Sequence, residues 1–181
     1  KVIVELQDSL IPNTTYTIDF SDAISDNNER NPLYNFSFSF ATGNSIDTLQ
    51  IGGVLLNAEN LEPVTGMLVG LHSNLNDSAF TKTPMQRIAK SDAYGRFSIK
   101  NIGAGTYRIY GLNDANRDYK FDNPSEDIAF MDSTVTPTVE MVMHADTIWA
   151  DSMTIDTIKM VTLPHFYPNN IILKVFNEQF K

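Results

Sequence analysis

The stretch KSDAYGRFSIKNIGAGTYRIYGL, residues 90–112, decides the fold class. In RFSIK (96–100) and YRIYGL (107–112) apolar and polar side chains alternate, the period of a half-buried strand. SDAYG (91–95) and GAG (103–105) are turn signals set between such runs. Asp92 and Gly95 suit a tight hairpin, which aims Phe97 and Ile99 at a core.

The same period extends outward in both directions. TYTIDF (15–20), FSFSF (36–40), MTIDTIKMVTL (153–163) and IILKVF (171–176) read as strands. IPNT (11–14), SDNNERNP (25–32), DNPS (122–125) and LPHFYPNN (163–170) read as breaks. No window carries apolar residues at i, i+3, i+4 and i+7 over three turns. NLEPVTGMLVGL (60–71) comes nearest, but its proline and glycines favour a buried strand. Short strands separated by regular turn signals predict an all-β chain built from β-sandwiches.

Composition narrows the function classes. The 181 residues carry 13 Lys and Arg against 22 Asp and Glu, a net charge of −9, with no basic stripe for nucleic acid or anionic membrane. The absence of cysteine excludes disulfides, thiolate metal sites and a cysteine nucleophile. No apolar run reaches the roughly 18 residues of a membrane helix, and no signal peptide is recognisable. KVIVELQDSL (1–10) reads as a strand already in progress, so the expectation is a piece of a longer protein, any membrane anchor lying in its missing N-terminus.

Two segments resemble known families. Residues 10–43, LIPNTTYTIDFSDAISDNNERNPLYNFSFSFATG, resemble the last half of a bacterial Ig-like domain. That family has an L-x-P-x-T-x-Y strand, a D-x-x-G-N-x-L turn and a closing F-x-F-x-T-G strand. Arg30 stands where the family tends to have glycine, and Phe40-Ala41-Thr42-Gly43 closes the motif. Residues 49–112 resemble the carboxypeptidase-regulatory or transthyretin-like (prealbumin-like) sandwich. The resemblance rests on Ile51-Gly52-Gly53-Val54, Glu62-Pro63, the 91–97 hairpin and Gly105-Thr106-Tyr107. The expected division is 1–47, the C-terminal part of an Ig-like domain; 48–140, a transthyretin-like sandwich; and 141–181, a strand-rich tail that completes the sandwich or begins a further module.

GLNDANRDYKFDNPSEDI (111–128) places oxygen-bearing side chains at alternate positions. Counting Asp114 as position 1, Asn116, Asp118, the Lys120 carbonyl and Asp122 fall at positions 3, 5, 7 and 9 of a calcium loop. Glu126 falls at 13 rather than 12, and Tyr119 occupies position 6, where glycine permits the sharp turn. The segment resembles a degenerate EF-like loop holding a structural Ca²⁺. A polar loop held by Asx-turns is the competing reading.

Asp followed by Ser or Thr and an aliphatic or small residue recurs seven times, with hydroxyls at Ser9, Thr48, Ser78, Ser133, Thr147, Ser152 and Thr157. The triplet resembles the O-glycosylation acceptor of exported Bacteroidota proteins, which implies a location outside the cytoplasm. A strand start of turn residue plus β-formers is the plainer account. His72, His144 and His165 have no zinc-site spacing, and neither G-x-S-x-G nor a phosphate-cradling glycine loop occurs. Tyr107, Tyr110, Tyr119, Phe121 and Trp149 could stack on a sugar or pack at an edge. The expected function is a non-catalytic scaffold or protein-interaction module of an exported Bacteroidota lipoprotein, at the outer membrane, cell surface or periplasm. The alternative is a carbohydrate-binding accessory domain of a glycan-uptake system, its partner a surface glycan.

Overall fold

The alternating runs form strands in the computed structural model, which describes residues 3–6, 9–20, 23–31, 33, 36–149 and 152–179. The chain divides into two units. One comprises Lys1–Thr48 with Asn101–Gly103, the other Leu49–Lys100 with Ala104–Lys181.

In the first unit β1 (Thr15–Asp19) pairs antiparallel with β2 (Ser37–Ala41), in register from Thr15 opposite Ala41 to Asp19 opposite Ser37. The pairing sets Tyr16 on Phe40, ring centroids 5.5 Å apart. Cross-strand aromatic contacts of this kind contribute about 0.5–1.5 kcal/mol beyond area burial. The 25–32 turn is organised by Asp26, whose Oδ1 accepts the N–H groups of Asn28, Glu29 and Arg30 at 3.0, 2.7 and 2.9 Å. The Glu29 N–H, above all, holds the Asp26 carboxyl below its usual range. Arg30 sits at φ 59°, the left-handed conformation that a glycine adopts without strain. At the closing end Thr42 Oγ1 accepts the Thr14 N–H at 3.0 Å and donates to the Ile11 carbonyl at 2.6 Å, tying β2 to the 11–14 turn.

The second unit is a seven-stranded, β-sandwich-like arrangement. It contains β3 (Leu49–Asn57), β4 (Leu68–His72), β5 (Arg87–Lys90), β6 (Arg96–Ile102), β7 (Arg108–Leu112), β8 (Asp127–Phe130) and β11 (Ile171–Asn177). Their order is β5-β4-β7-β8-β11-β3-β6. β11 lies between β8, antiparallel, and β3, parallel, so the last strand of the chain joins the two halves of the arrangement. Close approach of the parallel pair needs Gly53, where a Cβ would collide with the Ile171 carbonyl. Alternation becomes burial directly. β6 hides Phe97 and Ile99, and β11 hides Ile171, Leu173 and Val175. With Ile51, Leu55, Val69, Leu71 and Ile109 they form the core, each contributing about 1.5–3 kcal/mol on full burial.

β4 and β7 are buried on both faces. Their second face carries Gly70, Tyr110 and Leu112, covered by Phe80 of the short helix α1 (Ala79–Lys82), by Met85 and by Phe121. A Cβ on Gly70 would meet Met85 at 2.6 Å, so this face is packed tightly. His72 is 1 % exposed on the same face, edge-on to Tyr110, and burial pushes its pKa down.

Among the described residues β9 (Thr138–Trp149) and β10 (Ile155–Tyr167) pair with each other alone. LPHFYPNN does not break the chain at Pro164 as expected: β10 runs through it to Tyr167. A two-stranded ribbon has an open outer edge, where a residue lacking an N–H costs no ladder bond.

Candidate functional site

The loop between β7 and β8 lies over the second face of β4 and β7, held by aromatic packing. Phe121 stacks on Phe80 at 5.8 Å, and Phe80 stacks on Tyr110 at 4.2 Å. Backbone bonds secure it: Phe121 N–H donates to the Phe80 carbonyl at 2.9 Å, and Met85 N–H to the Tyr119 carbonyl at 2.8 Å.

Within the loop the alternate oxygens act on the backbone. Asp114 accepts the N–H groups of Arg117 and Tyr119 at 2.7 and 3.0 Å; Asn116 accepts that of Asp118, and Asp118 that of Lys120. Tyr119 sits at φ 62° and Arg117 at φ 64°. The turn that glycine would ease is therefore made by tyrosine, against the expectation that Tyr119 opposes it. Two bonds to Asp114 and the burial of Phe121 beside it offset a strain of about 1–2 kcal/mol per residue.

Lys120 Nζ lies between Asp118 Oδ2 and Asp122 Oδ2, at 2.8 and 2.9 Å. Its hydrogen bond, above all, lowers the Asp118 pKa to about 2, and the same bond raises that of Lys120. Glu126 is 2 % exposed; its Oε1 accepts the Ala115 N–H at 3.0 Å, and its Oε2 is buried without a hydrogen-bond partner. Asp127 turns away, receiving the amides of Asn113 and Asn177. As the side chains stand, no three acidic or histidine groups among the described residues are close enough to hold a metal ion. The structure thus brings Asp118, Lys120 and Asp122 together on the open side of the loop, and leaves Glu126 on its buried side. No local pattern distinguishes which of Glu126 and Asp127 is buried; the apolar Ile128 and Ala129 that follow are the nearest hint.

Of the hydroxyls in the Asp-Ser/Thr triplets, Ser9, Thr48, Ser133, Ser152 and Thr157 are exposed, Ser78 and Thr147 half-buried. Ser78 precedes α1, and its hydroxyl donates to Asn76 Oδ1 at 3.0 Å. Asp8 and Asp151 of two triplets lie outside the described residues. Tyr110 is core, Tyr107 and Phe121 are half-buried, and Tyr119 and Trp149 are exposed. Tyr119 borders a shallow depression with Lys90, Asp114 and Arg117.

The β9–β10 ribbon is a second feature, of which alternation in the sequence marked β10 but not β9. Its register places Val139, Met141, Met143, Ala145 and Thr147 on one face with Ile158, Met160, Thr162, Pro164 and Phe166. These ten residues carry no charge, while Glu140, His144, Asp146, Lys159 and His165 all lie on the other face; Asp156 falls at the register shift beyond Ile158. Met141, Met143 and Met160 are 65 %, 69 % and 56 % exposed. The signal was available in the alternate residues Met141 and Met143, Ile158 and Met160.

Comparison with known proteins locates one part of the chain. The bacterial Ig-like domain family matches residues 1–42, the segment that holds β1, the Asp26 turn and β2. No curated protein matches the chain. Among solved structures, the T6 backbone pilin of serotype M6 Streptococcus pyogenes, a modular three-domain protein decorated with variable loops and extensions, is similar at 12 % identity and a TM-score of 0.32. The match covers 88 % of this chain, and the chain spans 41 % of the pilin's length.

Proposed function

We propose that the chain is a non-catalytic module of a larger exported bacterial protein, acting as a scaffold or protein-interaction unit in the cell envelope or at the cell surface. The observation that carries this reading is the bacterial Ig-like match over residues 1–42, followed by a second unit that is also built from strands. The sandwich of the second unit would be of the transthyretin-like kind, and the seven Asp-Ser/Thr triplets would fit export from a Bacteroidota cell as a glycosylated lipoprotein. Protein contact suits the ribbon better than sugar contact does. A sugar's hydroxyls need hydrogen-bonding partners, and between Val139 and Thr147 and their partners Ile158 to Phe166 the uncharged face offers Thr147 and Thr162.

Carbohydrate binding is the second reading, favoured by the exposed Tyr119 ring beside Lys90, Asp114 and Arg117. One pair of experiments separates the readings. Membrane-impermeant biotin applied to intact and to outer-membrane-permeabilised cells should label the full-length protein in at least one case, and a glycan array should be blank. Labelling only after lysis would overturn the envelope location. A specific sugar on the array, lost in Tyr119→Ala or Trp149→Ala, would replace the scaffold reading with the carbohydrate one.

A further inference from the structure

Among the described residues, Glu126 is the one acidic side chain with a buried oxygen that lacks a hydrogen-bond partner. It is 2 % exposed, and the Ala115 N–H fixes Oε1 against the loop, leaving Oε2 buried and without a partner. Ala115 stands between Asp114 and Asn116, so the bond that fixes this carboxylate holds it against the backbone of the oxygen-bearing segment, on its buried side. Buried carboxylates are normally met by donors or by a cation. Lys120 is the cation nearest in sequence, and its ammonium is engaged with Asp118 and Asp122 on the open side.

From this unserved carboxylate and the oxygens around it, we infer that the 114–126 loop binds one calcium ion, with Glu126 Oε2 as its innermost ligand. Asp114, Asn116 Oδ1, Asp118, the Lys120 carbonyl and Asp122 supply the others, giving the six or more oxygens that Ca²⁺ takes. An all-protein, flexible oxygen cage suits Ca²⁺ rather than Mg²⁺, which keeps its waters and demands octahedral geometry. Asp118 and Asp122 reach the ion only by leaving Lys120, whose half-exposed side chain can move into solvent. Lys120 is therefore a competitor that holds the outer oxygens when calcium is absent. Tyr119 and Arg117 already hold the left-handed backbone that a calcium loop of this kind requires at its turn.

The test is calorimetric titration of the full chain, stripped with EDTA, with calcium chloride and separately with magnesium chloride, paired with thermal melting. One calcium should bind and raise Tm, since a ligand taken up by the folded state alone stabilises it. Glu126→Gln keeps the volume and the Ala115 bond, so its Tm in EDTA should be equal or higher while the calcium response disappears. Lys120→Met removes the competitor and should tighten calcium binding by about ten-fold, because affinity follows the charge of the ligand set. No heat and no Tm shift at millimolar calcium, in both the parent chain and Lys120→Met, would overturn the inference. An undiminished calcium response in Glu126→Gln, or an equal response to magnesium, would overturn it as well.

Discussion

β11 hides Ile171, Leu173 and Val175 and shows Ile172, Lys174 and Phe176, whereas no side chain of β9 or β10 is buried. All three strands alternate, so the local conformation is the same. The difference lies in what stands beside and behind them. β11 has a partner on each edge, β8 and β3, and a packed core on one face. Among the described residues β9 and β10 have one partner each, and the Met141–Met143 face is exposed. Period two reports that a segment is a strand; burial is decided by tertiary neighbours.

The largest expected effect sits in β11. Leu173→Ala should cost about 2–5 kcal/mol, measured by urea denaturation followed by circular dichroism, because Leu173 is fully buried. Met143→Ala in the ribbon should change stability by no more than about 0.5 kcal/mol. Equal costs would erase the contrast between the two regions.

A pH series sharpens it next. His72 is buried and its pKa is lowered by burial, so the unfolded chain binds its proton more readily. Stability from this group is complete above the unfolded value of 6.5 and is lost as pH falls from there through the depressed folded value. Tm should decline over that interval in the parent chain and less steeply in His72→Phe.

A smaller effect is expected at Arg30. Its left-handed backbone should make Arg30→Gly stabilising by about 0.5–1 kcal/mol, the steric relief outweighing glycine's entropy in the unfolded chain. Slower amide exchange across residues 26–30 would register it; faster exchange would show that the arginine side chain matters more than its backbone. The mildest perturbation is chemical. Limited peroxide treatment should oxidise Met141, Met143, Met153 and Met160 while sparing Met67 and Met85, which are 3 % and 4 % exposed. Peptide mass spectrometry reads the order.

Much of this is legible in the sequence. Alternation located β1, β2, β6, β7, β10 and β11. Asp92 and Gly95 marked a turn, closed by the Gly95 N–H to the Asp92 carbonyl at 3.0 Å, but not the expected hairpin: β5 and β6, which it joins, stand at opposite ends of the strand order, so the turn carries the chain from one edge to the other. The oxygen spacing of the 114–122 loop was legible too, since it is a property of sequence position alone. Three further things were not. Pro164 reads as a breaker because sequence does not show that β10 has an open edge. Tyr119 reads as a misfit because the bonds that hold its φ come from Asp114, five residues away. The burial of Glu126 depends on how the β7–β8 loop is laid against the sheet, which no local pattern encodes.

Hydrogen–deuterium exchange on the full chain tests the central contrast most directly. Amides of β3 and β11 should exchange only on the timescale of global opening, and those of β9 and β10, bonded to one partner and exposed on both faces, at least about ten-fold faster. Ribbon protection equal to that of β11 would contradict the account, because it would mean that the uncharged face is covered in the isolated chain.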